Sequence, residues 1–99
     1  MAINQLKIVI SVLKEISEDN IPNANDYGID EIKYCDILKA MQDEKLINGV
    51  VFRDELGRIV EAFPDNVKLT IKGMEYLNNN SALVKTYKGL KEIREWLPF

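Results

Sequence analysis

Ninety-nine residues, 46% of them hydrophobic and 29% charged, are enough for one domain with a modest core and too few for two. With no histidine and a single cysteine, the chain has no internal disulfide, no Ser-His or Cys-His nucleophilic pair, and few ways to hold zinc. No apolar run approaches a membrane span, so the expectation is a non-enzymatic, cytoplasmic chain with no cofactor, no metal site and no membrane partner.

Ile3, Leu6, Val9, Ile10, Leu13 and Ile16 recur at three- and four-residue spacings, which predicts a helix over residues 3–18 with one buried stripe. Lys7, Lys14, Glu15 and Glu18 fall off that stripe. The apolar run over residues 8–13 follows Lys7, precedes Lys14-Glu15 and has no small-residue cleavage site after it. It therefore reads as a core helix and not as a signal peptide. The density of Pro22, Asn20, Asn23, Asn25, Asp19 and Asp26 then makes a loop. Its oxygens suggest a calcium loop, and counting from Asn23 puts Gly28 sixth as that pattern requires. Tyr27 at the fifth position and Tyr34 at the twelfth break the pattern, which leaves a helix-capping loop.

Asp26-Tyr27-Gly28-Ile29 suits one helical turn with Ile29 buried. Asp30 is placed to N-cap a helix running to Leu46, with Glu31 favourable in its first turn. Tyr34, Ile37, Leu38 and Met41 converge on one face of that helix, and Asp36, Lys39 and Asp43 share the opposite one. Cys35 falls on the flank, where a small packing residue suffices. Residues 47–52 are β-branched and aromatic enough for a strand. A polar turn at Asp54-Glu55-Leu56-Gly57 and a return over residues 59–63 complete a β-hairpin, closed by Pro64. Val67, Leu69 and Ile71 alternate with polar residues as a short extended piece. Thr70 is placed to cap a helix over residues 71–77 with Ile71, Met74 and Leu77 inward. Asn78-Asn79-Asn80 breaks that helix. Ser81 then caps a long final one with Leu83, Tyr87, Leu90, Ile93 and Leu97 as its stripe and Pro98 as its end.

Helix, turn, helix, β-hairpin, helix is the layout of a winged helix-turn-helix domain. The expected fold is α+β over residues 1–99, mainly helical, with a hairpin wing and an extra C-terminal helix. The segment Leu69-Thr70-Ile71-Lys72-Gly73-Met74-Glu75-Tyr76-Leu77 resembles the piece that follows the wing in many small bacterial winged-helix proteins. Over nearly its full length, the chain also resembles the YjcQ-like family of small bacterial and prophage proteins. That resemblance rests on Leu13-Lys14-Glu15-Ile16, Asp26-Tyr27-Gly28-Ile29, the segment just quoted, and the run from Lys85 to Trp96, above all its Tyr87-Lys88 and Lys91-Glu92-Ile93 with Trp96. It implies a winged-helix fold and a phage or prophage origin, and supplies no catalytic residues.

The layout places residues 30–46 where a winged helix would read DNA. Its candidate contacts are Lys33, Lys39 and Lys45 on the helix and Arg53 and Arg58 on the wing. Charge argues the other way. The net charge is −3, Asp36 and Asp43 occupy the outward helix face, and Asp43 is placed to pair with Lys39. The one basic region is the C-terminal end, where Lys85, Lys88, Lys91 and Arg94 recur every third residue as a second candidate phosphate-contacting group. Tyr87, Leu90, Trp96 and Phe99 give that end an aromatic surface suited to a homodimer or another protein partner, unless Trp96 and Phe99 pack back on the first helix. Two functional expectations follow: a DNA-associated regulatory protein, or a protein–protein interaction module on the same scaffold without DNA binding.

Overall fold

The computed structural model describes residues 3–97. Pro98, expected to end the last helix, and Phe99, an expected interface residue, lie outside the described residues, as does the side chain of Ile3. The architecture is α+β, with six α-helices and a small antiparallel hairpin among the described residues, in an order compatible with a winged-helix-like arrangement.

Helix α1 (Ile3–Ser17) runs through the middle of the molecule. Ile8, Val9, Ile10, Ser11, Val12 and Leu13 are all buried, so the helix is enclosed on every side and not along one stripe. Helix α2 (Ala24–Tyr27) is a single turn fixed by a reciprocal capping box between Asn23 and Asp26. It starts earlier than the sequence suggests, and Tyr27 takes the buried place expected for Ile29. Helix α3 (Glu31–Asp43) buries Tyr34, Cys35, Ile37, Leu38 and Met41. It stops before Leu46 because Lys45 takes a left-handed conformation (φ 66°), and the turn redirects the chain into the sheet. Asp30 occupies the N-cap position, but its side chain makes no capping hydrogen bond.

The expected strand over residues 47–52 divides in two. Strand β1 (Ile47–Asn48) pairs with β4 (Lys68–Leu69), whereas β2 (Val51–Glu55) pairs with β3 (Arg58–Phe63) as the hairpin. Gly49 (φ 88°) makes the break, and a Cβ there would lie 2.2 Å from the Asn66 carbonyl oxygen. Gln42 closes the root of the hairpin. Its amide oxygen accepts from Val50 N–H at 2.9 Å and its amide nitrogen donates to the Val50 carbonyl at 3.0 Å. The hairpin packs on α3 mainly through β3.

Helix α4 (Ile71–Asn79) is capped as expected, the Thr70 hydroxyl accepting from Gly73 N–H at 2.9 Å. Its inward face is a correction. Ile71 and Met74 point outward, while Gly73 is buried against the Leu46 carbonyl and Tyr76 and Leu77 pack on the core. The long final helix is a second correction. Helix α5 (Ser81–Thr86) ends at Tyr87, Gly89 turns the chain at φ 101°, and a 3₁₀ turn (Leu90–Glu92) leads into α6 (Ile93–Trp96). Asn80, not Ser81, holds the N-cap position of α5 and makes no side-chain cap. The break lets the C-terminal segment fold back over α1 and α2, where Ile93 and Leu97 enter the core. Among the described residues, no helix is long and apolar enough to cross a membrane.

Candidate nucleic-acid interface

Helix α3 shows solvent Lys33, Asp36, Ala40, Asp43 and Glu44, a face with more acid than base. Lys39 is half-buried beside that face. Its Nζ lies 2.7 Å from Asp43 Oδ1 and 5.8 Å from the centre of the Phe52 ring, so the expected local pair forms and the cation is held down on the hairpin. On the wing, Arg53 donates to Glu55 and, from Nε at 3.0 Å, to Glu61 across the strands. These two carboxylates, Glu55 foremost, hold its guanidinium even more firmly protonated than usual. Arg58 is exposed at the start of β3 and makes no ion pair among the described residues.

A second group of cations gathers at the other end of α3. Lys33 and Arg94, 61 positions apart in sequence, line one cleft of about 410 Å³ with Gly28, Ile29 and Asp30. Gly28 ends α2 at φ 67°, and the Arg94 guanidinium lies where a side chain on that glycine would sit, 3.0 Å from the Cβ position. Packing of α6 on α2 brings it there. The broken C-terminal path therefore separates Arg94 from the row that the sequence suggests. Lys85, Lys88 and Lys91 remain exposed on α5, the connection and the 3₁₀ turn, and Lys88 borders a notch with Glu92, Glu95 and Trp96.

The aromatic residues of the C-terminal segment are half-buried against the core. Trp96 meets Tyr87 edge to face at 5.0 Å, donates from Nε1 to Thr86 Oγ1 at 2.8 Å, and lies under the Lys7 ammonium at 5.4 Å. Lys7 also donates to the Trp96 carbonyl at 3.0 Å. Leu90 packs on the same core.

Beneath these aromatics is a polar chain that sequence periodicity misses. Ser11 Oγ donates to Tyr87 Oη at 2.8 Å, and Tyr87 Oη donates to Glu15 Oε2 at 2.5 Å. Because Ser11 has given its proton to Tyr87, the 2.9 Å contact with Tyr27 is one in which Tyr27 donates. Asn20 completes Glu15 from the other side at 3.2 Å. Ser11 and Glu15 are buried, though Glu15 falls off the apolar stripe. Burial pushes the Tyr27 and Tyr87 hydroxyls well above the ordinary tyrosine range, and for Tyr87 the bond to Glu15 adds to the effect. Cys35 is fully buried on α3, and burial, then the Glu31 carboxylate, pushes its thiol up. That environment suits packing and not nucleophilic chemistry. Among the described residues, no three His, Cys, Asp or Glu side chains are grouped so as to hold a metal ion.

Comparison with known proteins covers almost the whole chain. Residues 4–96 match the family described as YjcQ protein. "Uncharacterized protein YjcQ" of Bacillus subtilis (strain 168) is 36% identical over 95 residues, which span 95% of this chain and 98% of that protein. No solved structure matches. The resemblance to the YjcQ-like family is thus upheld over residues 4–96, and the chain belongs to the YjcQ family.

Proposed function

We propose that this chain is a non-enzymatic, cytoplasmic, DNA-associated protein with a regulatory role, and that it meets duplex DNA through the N-terminal end of α3 and the C-terminal segment. The observation that carries this reading is the shared cleft of Lys33 and Arg94. Helix-turn-helix proteins reach base edges with the first residues of the recognition helix, while surrounding cations fix the phosphates. Lys85, Lys88 and Lys91, exposed elsewhere on the C-terminal segment and outside that cleft, are further candidates for phosphate contacts. Arg53 and Lys39 have little part in it, because both are already paired with carboxylates. The phage or prophage setting implied by the family resemblance belongs to the same reading.

Fluorescence anisotropy with a labelled random duplex at low salt tests it. The expected result is binding that weakens steeply with added salt, loses affinity and salt slope in Lys33→Ala and Arg94→Gln, and is unchanged in Arg53→Gln. No binding by the unaltered chain, or equal sensitivity at Arg53, overturns the proposal. A second reading, a protein-interaction module without DNA binding, is favoured by the pairing of Lys39 and Arg53 and by the acidic outward face of α3. It predicts no duplex binding at any salt concentration.

A further inference from the structure

Helix α4 places large apolar side chains in water. Ile71 is 74% exposed and Met74 is 53% exposed. The helix is a ridge between two largely apolar grooves. One, of about 330 Å³, lies against α1 and α3 and includes Val9, Met41 and Tyr76. The other, of about 480 Å³, lies against the end of α1 and β4 and includes Ile16, Leu69 and Leu77, with Met74 on its wall.

A ridge beside a groove on one molecule matches the same pair of features on a second molecule turned by a two-fold axis, because each ridge then enters the other's groove. The charges repeat the relationship. The first groove is bordered by Glu44 and Lys72 and the second by Asp19 and Lys68. None of these four is in an ion pair among the described residues. A partner of uniformly positive or negative surface would set like charges together at one residue of each pair. A second copy offers both signs in reversed order.

We infer that α4 is a self-association surface of this chain. Ile71 and Met74 of each copy fill the groove beside Met74 of the other, and Lys68 of one copy faces Asp19 of the other. This surface is separate from the cleft of Lys33 and Arg94 and does not depend on DNA binding.

Sedimentation equilibrium of the full chain over a wide concentration range tests the inference, with far-UV circular dichroism to follow folding. The unaltered chain is expected to associate reversibly to twice the mass of one chain. Met74→Glu weakens association by more than about tenfold, because the new carboxylate is desolvated without a partner. Asp19→Lys and Lys68→Glu each weaken it, and the double variant restores it, since the swap re-pairs the two exposed charges. A chain that keeps the mass of one copy up to millimolar concentration overturns the inference. So does an association unaffected by Met74→Glu, or a folded double variant no better than its parents.

Discussion

Tyr87 reaches across 72 residues of sequence to donate a 2.5 Å hydrogen bond to Glu15, a carboxylate only 6% exposed in the last turn of α1. A buried carboxylate needs donors, and this one has two, the Tyr87 hydroxyl and the Asn20 amide. Tyr87→Phe removes the nearer donor and leaves the ring packing in place. The expected loss is about 2 kcal/mol of stability, the range for an unsatisfied buried group next to a charge. Urea denaturation measures it. A loss below about 0.5 kcal/mol, within the range of ordinary surface changes, would show that water replaces the hydroxyl without cost.

Alkali should unfold the protein for a related reason. Burial raises the hydroxyls of Tyr27, Tyr34 and Tyr87 above the ordinary value of 10.0. Between that value and the raised ones, the unfolded chain has lost protons that the folded chain keeps. The unfolded state therefore binds fewer protons, and stability falls as pH rises. The contribution of these hydroxyls is complete below pH 10 and declines above it. The urea midpoint is expected to decline gently from about pH 9, where the Cys35 thiol ionises in the unfolded chain but not in the folded one, and to drop more steeply beyond pH 10. Tyr87→Phe should make the drop shallower, and an unchanged slope would remove Tyr87 from this account.

Gly73 gives a sharper test of packing. Alanine inside a helix normally gains close to 1 kcal/mol over glycine. Here the new Cβ would lie 2.2 Å from the Leu46 carbonyl oxygen and 2.7 Å from Leu69 Cδ1, and the nearer atom is backbone. Gly73→Ala is therefore expected to destabilise by about 2 kcal/mol or more, the range of forced overpacking. A thermal midpoint at or above that of the unaltered chain would contradict the close approach of α4 to Leu46.

The wing tip predicts the opposite sign. Leu56 is fully exposed and takes φ 54°, beside Gly57 at φ 79° in the two-residue turn of the hairpin. Positive φ at both positions suits asparagine-glycine, and a left-handed conformation strains leucine. Leu56→Asn should stabilise by about 0.5–1 kcal/mol through relief of that strain. Calorimetry checks it, and a lower midpoint would mean that the leucine makes contacts that offset its strain.

Local pattern carries a good share of this fold and little of the candidate site. Helices α1 and α3, the hairpin and the Thr70 cap follow from apolar spacing, turn residues and side-chain capping, all of which act over a few residues. The outward turn of Ile71 and Met74 does not follow. Spacing of 71, 74 and 77 defines a stripe, but the close fit of Gly73 to the Leu46 carbonyl decides which side faces in. The break in the C-terminal helix has a sequence signal in Gly89, which takes a conformation that other residues resist. Glu15 and Ser11 carry no such signal, because their burial depends on where Tyr87 and Trp96 arrive. The meeting of Lys33 with Arg94 likewise depends on that return path, and on a glycine at position 28 that leaves room for a guanidinium.

The bond between Gln42 and Val50 bears on how salt titrations of this protein are interpreted. Both partners are neutral, and both ends of the amide are used on the N–H and the carbonyl of one residue, Val50, at the root of the hairpin. Direct attraction between full charges is what dissolved ions screen most strongly, and this junction contains none. The pose of the hairpin on α3 should accordingly hold constant from dilute to concentrated salt. Changes in binding across such a series then report the surface cations themselves, with no contribution from a shifting wing.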